Sequence, residues 1–237
     1  MDKPRLTVTE TMHGGSTIVS PTTYTTTVHC ELKPYPFPEG MEIPRLMPYQ
    51  EYPWNGDGYL AAEVLRLKAA HNIMSAIETG TCLGSTALWL AEHFAEVNTA
   101  EVNGAYFTLA RKRMEPVLKD SPVPVMIHHG SSLDMLHKVS AGFYFLDAHW
   151  NEHCPLLEEL EVIAKEGVRP CIIIHDFQVP GHPEMGFDKF PDGGTPFCYN
   201  LIEPYLIAIY GEEGFETNYP DKVEGANRGW ISVEPVR

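Results

Sequence analysis

Between residues 59 and 210 the chain alternates short apolar runs with longer segments whose apolar residues recur at helical spacing. Tyr59–Ala70 (YLAAEVLRLKAA) predicts a helix on that spacing. Ser75–Ile77 is a short strand-like run leading into Gly80 and Gly84, and Thr86–Phe94 is again helical. The alternation continues with strands at Val97–Val102, Val125–His129, Phe143–Leu146 and Cys171–Ile174. Helices are predicted at Ala105–Val117, Leu133–Val139, Pro155–Lys165 and Tyr199–Tyr210. Strand followed by helix at this interval implies right-handed crossovers and a mostly parallel sheet with helices on both faces. The last two runs, Phe215–Tyr219 and Gly229–Glu234, have no helix between them. The expected fold is an α/β, doubly wound, Rossmann-like sheet ending in an antiparallel hairpin.

Residues 1–57 have another texture. Thr9–Thr27 is rich in Thr, Ser and Gly, while KPYPFP (33–38) and Met47–Pro48–Tyr49 set prolines among aromatics. Proline interrupts helix interiors and central strands, so 1–57 reads as an extended arm or lid and 58–237 as a catalytic domain. The aromatics of the arm need something to bury against, either the mouth of a pocket or a partner subunit. A homodimer through the arm is therefore an expectation.

Composition narrows the class. With 237 residues, 43% of them hydrophobic, the chain can fill one sizeable core. A net charge of −15 repels phosphate backbones, so no nucleic-acid partner is expected. The one basic cluster, Arg111–Lys112–Arg113, falls in a predicted helix and reads as a solvated face. Five cysteines (Cys30, Cys82, Cys154, Cys171, Cys198) lie far apart with no Cys-x-x-Cys pair, so neither a zinc knuckle nor a disulfide framework is indicated. There is no basic-then-apolar leader and no apolar run of bilayer length, so a cytoplasmic protein without a membrane partner is expected.

Candidate chemistry begins at the turn Glu78–Thr79–Gly80–Thr81–Cys82–Leu83–Gly84–Ser85. Gly80-x-x-x-Gly84 allows a tight strand-to-helix turn and close approach of backbone amides to a ligand. Glu101 closes the next strand about 20 residues on, where a carboxylate accepts hydrogen bonds from ribose hydroxyls. The glycine spacing alone occurs in many proteins for packing reasons. A dinucleotide site competes, but Glu78 would repel pyrophosphate, whereas it can pair with the cationic methionine end of S-adenosylmethionine. Cys82 has no base beside it and reads as a small loop filler.

The segments IETGTCLGSTALWLAEHF (77–94), VNTAEVN (97–103), VMIHHGSSLDML (125–136), FYFLDAHW (143–150) and IIIHDFQVPG (172–181) resemble the class I small-molecule O-methyltransferases. Two branches are similar: catechol O-methyltransferase and the macrocin-type enzymes that methylate sugar hydroxyls. The similarity covers roughly residues 60–190 and leaves out the arm. It implies that Glu78, Gly80, Glu101 and Ser132 touch S-adenosylmethionine. With the rest of the turn, the expected cofactor residues are Glu78, Gly80, Thr81, Gly84, Ser85, Thr86, Glu101, Ser132 and Asp147.

Asp147 ends the fourth predicted strand of the domain, and His175–Asp176 ends the fifth, so neighbouring parallel strands bring these groups to one rim. An acid closing both strands is hard to explain as helix capping alone. The resembling families carry a metal-binding acid at Asp147 and an acid–acid or acid–amide pair at 175–176, with Pro180–Gly181 in the same register. The resemblance thus implies a metal held by Asp147, His175 and Asp176. Histidine in the first slot departs from the pattern and shifts the preference from magnesium toward manganese, iron or zinc. In the macrocin-type branch a base lies two residues after the first acid, here His149, and residues two apart on an extended chain face one side. The rival readings make His149 a further metal ligand or an adenine-stacking neighbour with Trp150.

His128 and His129 read as structural, whereas His153, His182 and Glu184 lie on loops over the rim. Gly193–Gly194 fits either a plain turn or a lid hinge. The leading expectation is O-methylation of a small hydroxylated acceptor, a sugar or a phenol, by Asp147 and His149. A metal-dependent hydrolase or oxygenase on the same scaffold, or a non-catalytic cofactor-binding protein, remain alternatives. Glu78 with Glu101 argues against the hydrolase, which would need neither.

Overall fold

The computed structural model describes residues 6–9, 27–41, 45–149, 153–191 and 194–236. Most of the stretch 9–27, Trp150 and the candidate hinge residue Gly193 lie outside the described residues.

Two short strands of the arm, β1 (Leu6–Thr9) and β2 (Thr27–Cys30), pair antiparallel. The main sheet is built on β3 (Ser75–Thr79), β4 (Glu96–Glu101), β5 (Val125–His129), β6 (Phe143–Leu146), β7 (Cys171–His175), β8 (Phe215–Asn218) and β9 (Trp230–Pro235). Their order is β5-β4-β3-β6-β7-β9-β8, parallel from β5 through β7, with β9 antiparallel to both β7 and β8. The doubly wound sheet with a terminal antiparallel pair is the fold that the sequence pattern predicts. The strand order reverses between β3 and β6, and such a switch point opens a crevice beyond the carboxyl ends of the strands.

The flanking helices are α1 (Gly58–His71), α2 (Ser85–His93), α3 (Gly104–Leu118), α4 (Ser132–Leu136), α5 (Leu156–Glu166) and α6 (Tyr199–Tyr210). Every residue of β6 and β7 is buried, because helices cover both faces; this is why the two strands read as continuous apolar runs. Alternate residues feed two cores. Tyr144, Leu146, Ile172 and Ile174 pack with α5 and α6, while Phe143, Phe145, Cys171 and Ile173 pack with α1 and α2. Burial of each such large side chain contributes about 1.5–3 kcal/mol. α1 starts where Asp57 accepts the amide hydrogens of Tyr59 (2.9 Å) and Leu60 (3.3 Å), satisfying donors that a helix start leaves open. The indole of Trp230 at the head of β9 donates to the same carboxylate (3.1 Å), tying the start of α1 to the last strand.

One expectation is overturned. Arg113 is not part of a solvated face: it is fully buried on α3, on the side that packs against the domain with Ala110 and Met114. Its guanidinium donates to the carbonyls of Leu83 (2.9 Å), Tyr35 (2.6 Å) and Glu51 (3.3 Å) and to Ser85 Oγ (2.9 Å), and it lies 4.1 Å from the ring centre of Phe37. A buried cation is tolerated when most of its donors are engaged; here Nη1 and Nη2 each have two acceptors and only Nε lacks one. Arg113 thereby fastens the described part of the arm to the glycine turn. Trp54 of the arm is buried edge-on between Trp89 and Phe145.

Candidate active site

Beyond the carboxyl ends of β3, β4, β6 and β7 lies a cavity of about 590 Å³. The turn after β3 supplies Gly80 and Cys82, the end of β4 supplies Glu101, Val102 and Asn103, and Ser132 opens α4 on one side. Asp147, His149 and Asp176 form the far rim, and Gln50 and Asn55 come from the arm. The volume is within the range of small-molecule and cofactor sites.

Two glycines permit the turn. At Gly80 (φ +86°) a Cβ would stand 2.9 Å from the carbonyl oxygen of Asp147, where the turn crosses the end of β6. At Gly84 (φ +76°) it would meet Met114 Sδ at 2.4 Å, so glycine lets the turn seat on α3. Both amide hydrogens of Gly80 and Thr81 go to Ala100 O (3.1 and 3.0 Å), which pins the turn to β4.

Beneath the turn, Thr99 Oγ1 donates to Glu78 Oε2 and also contacts Thr81 Oγ1, both at 2.6 Å. The Thr99 proton is committed to Glu78, so Thr81 donates to Thr99. Burial, with Asp147 and Glu101 adding negative charge, pushes Glu78 up to about 8 although the Thr99 hydrogen bond opposes it. Glu78 itself is buried behind the turn and does not line the cavity. Glu101 accepts the amide hydrogens of Cys82 and Asn103, each at 2.8 Å, so its carboxylate is fixed at the cavity wall; burial raises its pKa.

Ser85 and Thr86 are used otherwise than expected. Ser85 Oγ donates to Gln50 O (2.9 Å), and Thr86 Oγ1 accepts the amide hydrogen of Trp54 (3.0 Å), so both hydroxyls hold the arm. Ser132 does line the cavity and also hydrogen-bonds buried Glu159. Burial lifts the Cys82 thiol to about 12, which leaves it inert as a nucleophile.

On the far rim, Nδ1 of buried His175 faces Oδ1 of Asp147 (3.1 Å) and Oδ1 of Asp176 (3.5 Å). Nε2 of His149 faces Oδ2 of Asp188 (2.7 Å) and Oδ2 of Asp176 (3.4 Å). Arg228 donates through Nε to Asp176 Oδ1 and through Nη2 to Asp188 Oδ1. Burial disfavours charge on His149, but the hydrogen bond to Asp188 and the charges of Asp147 and Asp176 outweigh it and raise its pKa to about 9. Burial likewise disfavours charge on His175, and Asp176 and Asp147 overcome it. Asp176 is held ionised: burial alone would raise its pKa, but His175, His149 and Arg228 drive it well below the usual carboxylate range. The backbone at Asp176 has φ +55°, a left-handed conformation that Asp tolerates better than most residues and that recurs at functional sites.

No protein-family model and no curated protein matches the sequence. Solved structures do match. The O-methyltransferase TomG from Streptomyces achromogenes, involved in tomaymycin synthesis and in complex with SAM, superposes with a TM-score of 0.55 at 16% identity over 76% of this chain and 81% of that one. An O-methyltransferase from Bacillus cereus in complex with SAH gives 0.51 at 20% identity, covering 74% and 90%. The SAH-bound Podospora anserina methyltransferase PaMTH1 gives 0.50 at 14%, covering 76% and 79%. The fold is that of the class I methyltransferases.

In this methyltransferase fold the three predicted metal donors do converge. Asp147, His175 and Asp176 offer atoms within 4.8 Å of one another, and so do His149, Asp176 and Asp188. The arrangement nevertheless does not fit a divalent ion, because Asp176, common to both sets, already accepts from Arg228, and so does Asp188. His175 itself is buried and does not line the cavity, and its Nδ1 is engaged by Asp147. Sequence reasoning missed Asp188 and Arg228. The register that pairs His175 with Trp230 carries Arg228 to the end of β7, and no local pattern announces such a long-range pairing.

Proposed function

We propose that the chain is an S-adenosylmethionine-dependent O-methyltransferase acting on a small hydroxylated acceptor such as a sugar or a phenol. One observation carries the reading: Glu101, placed for a ribose, and the Asp147–His149–Asp176 rim share a single cavity. The shared fold, seen in TomG with SAM and in the Bacillus cereus enzyme with SAH, supports the choice of cofactor.

In this scheme Glu101 binds the ribose hydroxyls, while Gly80 lines the wall around the methionine end and Thr81 braces it from behind through Thr99. Glu78 beneath the turn balances its positive charge. Ser132 and Asp147 complete the cofactor wall, and Gln50 and Asn55 close the mouth. The acceptor oxygen attacks the methyl carbon in line as the sulfur–carbon bond breaks, and its proton passes to His149 in the neutral form, with Asp188 behind it. Asp147 orients the acceptor hydroxyl. The divalent cation expected from the sequence has no part in this scheme, since Arg228 takes the carboxylate both donor sets share. The same contact weighs against a metal-dependent hydrolase or oxygenase.

Calorimetric titration with S-adenosylmethionine tests the reading, followed by methyl transfer to a panel of sugars and catechols. One cofactor per chain is expected, and absence of binding overturns the proposal.

A further inference from the structure

The cluster at the carboxyl ends of β6 and β7 has the residue types of a metal centre but contains a guanidinium at its middle. Arg228 reaches two carboxylates from different segments, Asp176 at the end of β7 and Asp188 on the following loop. The backbone around it is held on both sides: Gly186 N donates to Asn227 O and Gly229 N to Gly186 O, each at 2.8 Å. Asn227 Nδ2 donates to Glu184 O at 2.7 Å, and Asp188 N to Asp176 O at 2.8 Å. The side chain also has a fitted berth. A Cβ at Gly186 would lie 3.0 Å from Arg228 Nη1 and 3.2 Å from its Cδ, so a glycine stands where the arginine passes.

We propose that Arg228 is the resident cation of this rim, in the position a divalent ion would otherwise take between Asp176 and Asp188, and that the protein works without a metal. An arginine keeps its charge at any physiological pH, and its planar fork matches two carboxylates. A divalent ion entering the donor set would meet that charge at contact distance and would have to displace it. Arg228 does what a metal would do for positioning: it fixes Asp176 at the cavity and ties the Asp188 loop, and with it His149, to the end of β7. The inference builds on the proposed function only in taking the rim as the acceptor end of the cavity.

Titration of manganese(II), followed by its electron paramagnetic resonance signal, tests this on the whole protein, with circular dichroism and melting as fold controls. The wild-type chain is expected to show no stoichiometric site, and Arg228→Ala to gain one at least about tenfold tighter than any wild-type binding, because a unit charge beside the donors has been removed. Arg228→Lys, which keeps the charge, should gain none. A single tight manganese site in the wild type overturns the proposal, as does a folded Arg228→Ala that gains none. Should Arg228→Ala fail to fold, Arg228→Gln and the wild-type titration decide in the same way. S-adenosylmethionine binding is measured separately with and without EDTA: equal affinities are expected, and loss on chelation overturns the proposal. Failure to bind cofactor in either condition overturns the methyltransferase reading instead.

Discussion

Arg113 donates to Ser85 Oγ at 2.9 Å from a position with no solvent exposure, so a buried charge on α3 joins the glycine turn to the arm. Arg113→Ala would strip partners from Ser85 Oγ and from the carbonyls of Leu83, Tyr35 and Glu51. The expected loss is about 2–4 kcal/mol, or roughly 5–15 °C in Tm for a chain of this size. Because Gln50 and Asn55 line the cavity, cofactor affinity should fall as well, and limited proteolysis should cut within 31–52 before the rest of the chain. Unchanged proteolysis would refute the anchoring role.

Glu101→Ala should lower affinity for S-adenosylmethionine about 10- to 100-fold, the effect of losing charge-assisted hydrogen bonds to the ribose. The same carboxylate accepts from Cys82 and Asn103, so circular dichroism must show the variant folded. A folded variant with wild-type affinity would remove Glu101 from the site.

Glu159 is buried on α5, its Oε1 has no partner, and burial pushes it from 4.5 up to about 7. The folded state therefore holds this proton more tightly than the unfolded chain. Its contribution is full below pH 4.5 and is lost as pH rises through about 7, by up to about 3 kcal/mol. Glu159→Gln keeps the shape without the charge. Its Tm relative to wild type should rise from pH 5 to about pH 7 and level off toward pH 8, on the scale set by that linkage, and melting curves across this range provide the check. A constant difference would contradict the assignment.

Asp188→Asn removes the group closest to His149, at 2.7 Å. The His149 pKa should drop from about 9 toward the ordinary imidazole range, as read by NMR titration of its ring protons. If His149 is the base, the alkaline rise of kcat/KM shifts to lower pH by the same amount, because more of the histidine is neutral at a given pH. A moved NMR pKa with an unmoved rate profile would assign the base elsewhere.

Much of the architecture is legible in the sequence because it depends on local patterning. Phe143–Leu146 and Tyr199–Tyr210 are strand and helix at the predicted bounds, since a strand covered on both faces must be apolar throughout and a helix must keep its spacing. The predicted helix over Leu133–Val139 is shorter, Ser132–Leu136, with Ser131 capping it. Ser85 and Thr86 open α2 just after the expected turn, but their hydroxyls point to the arm, a choice that nothing within the turn dictates. Arg113 looks solvated beside Arg111 and Lys112 because burial of a cation depends on acceptors up to 78 residues away.

The sequence by itself determined the alternation of strands and helices, the glycine turn after β3, and the placing of Glu101, Asp147 and His175–Asp176 at strand ends. These follow from backbone periodicity and from glycine's freedom at positive φ. Only the tertiary structure decided that the arm walls the cavity and that Asp188 stands behind His149. It also decided that Arg228 takes the carboxylate a metal would need. The physical reason is common to all three: charges and hydrogen-bond donors act through space, and strand pairing across 52 residues from Asp176 to Arg228 sets which of them meet.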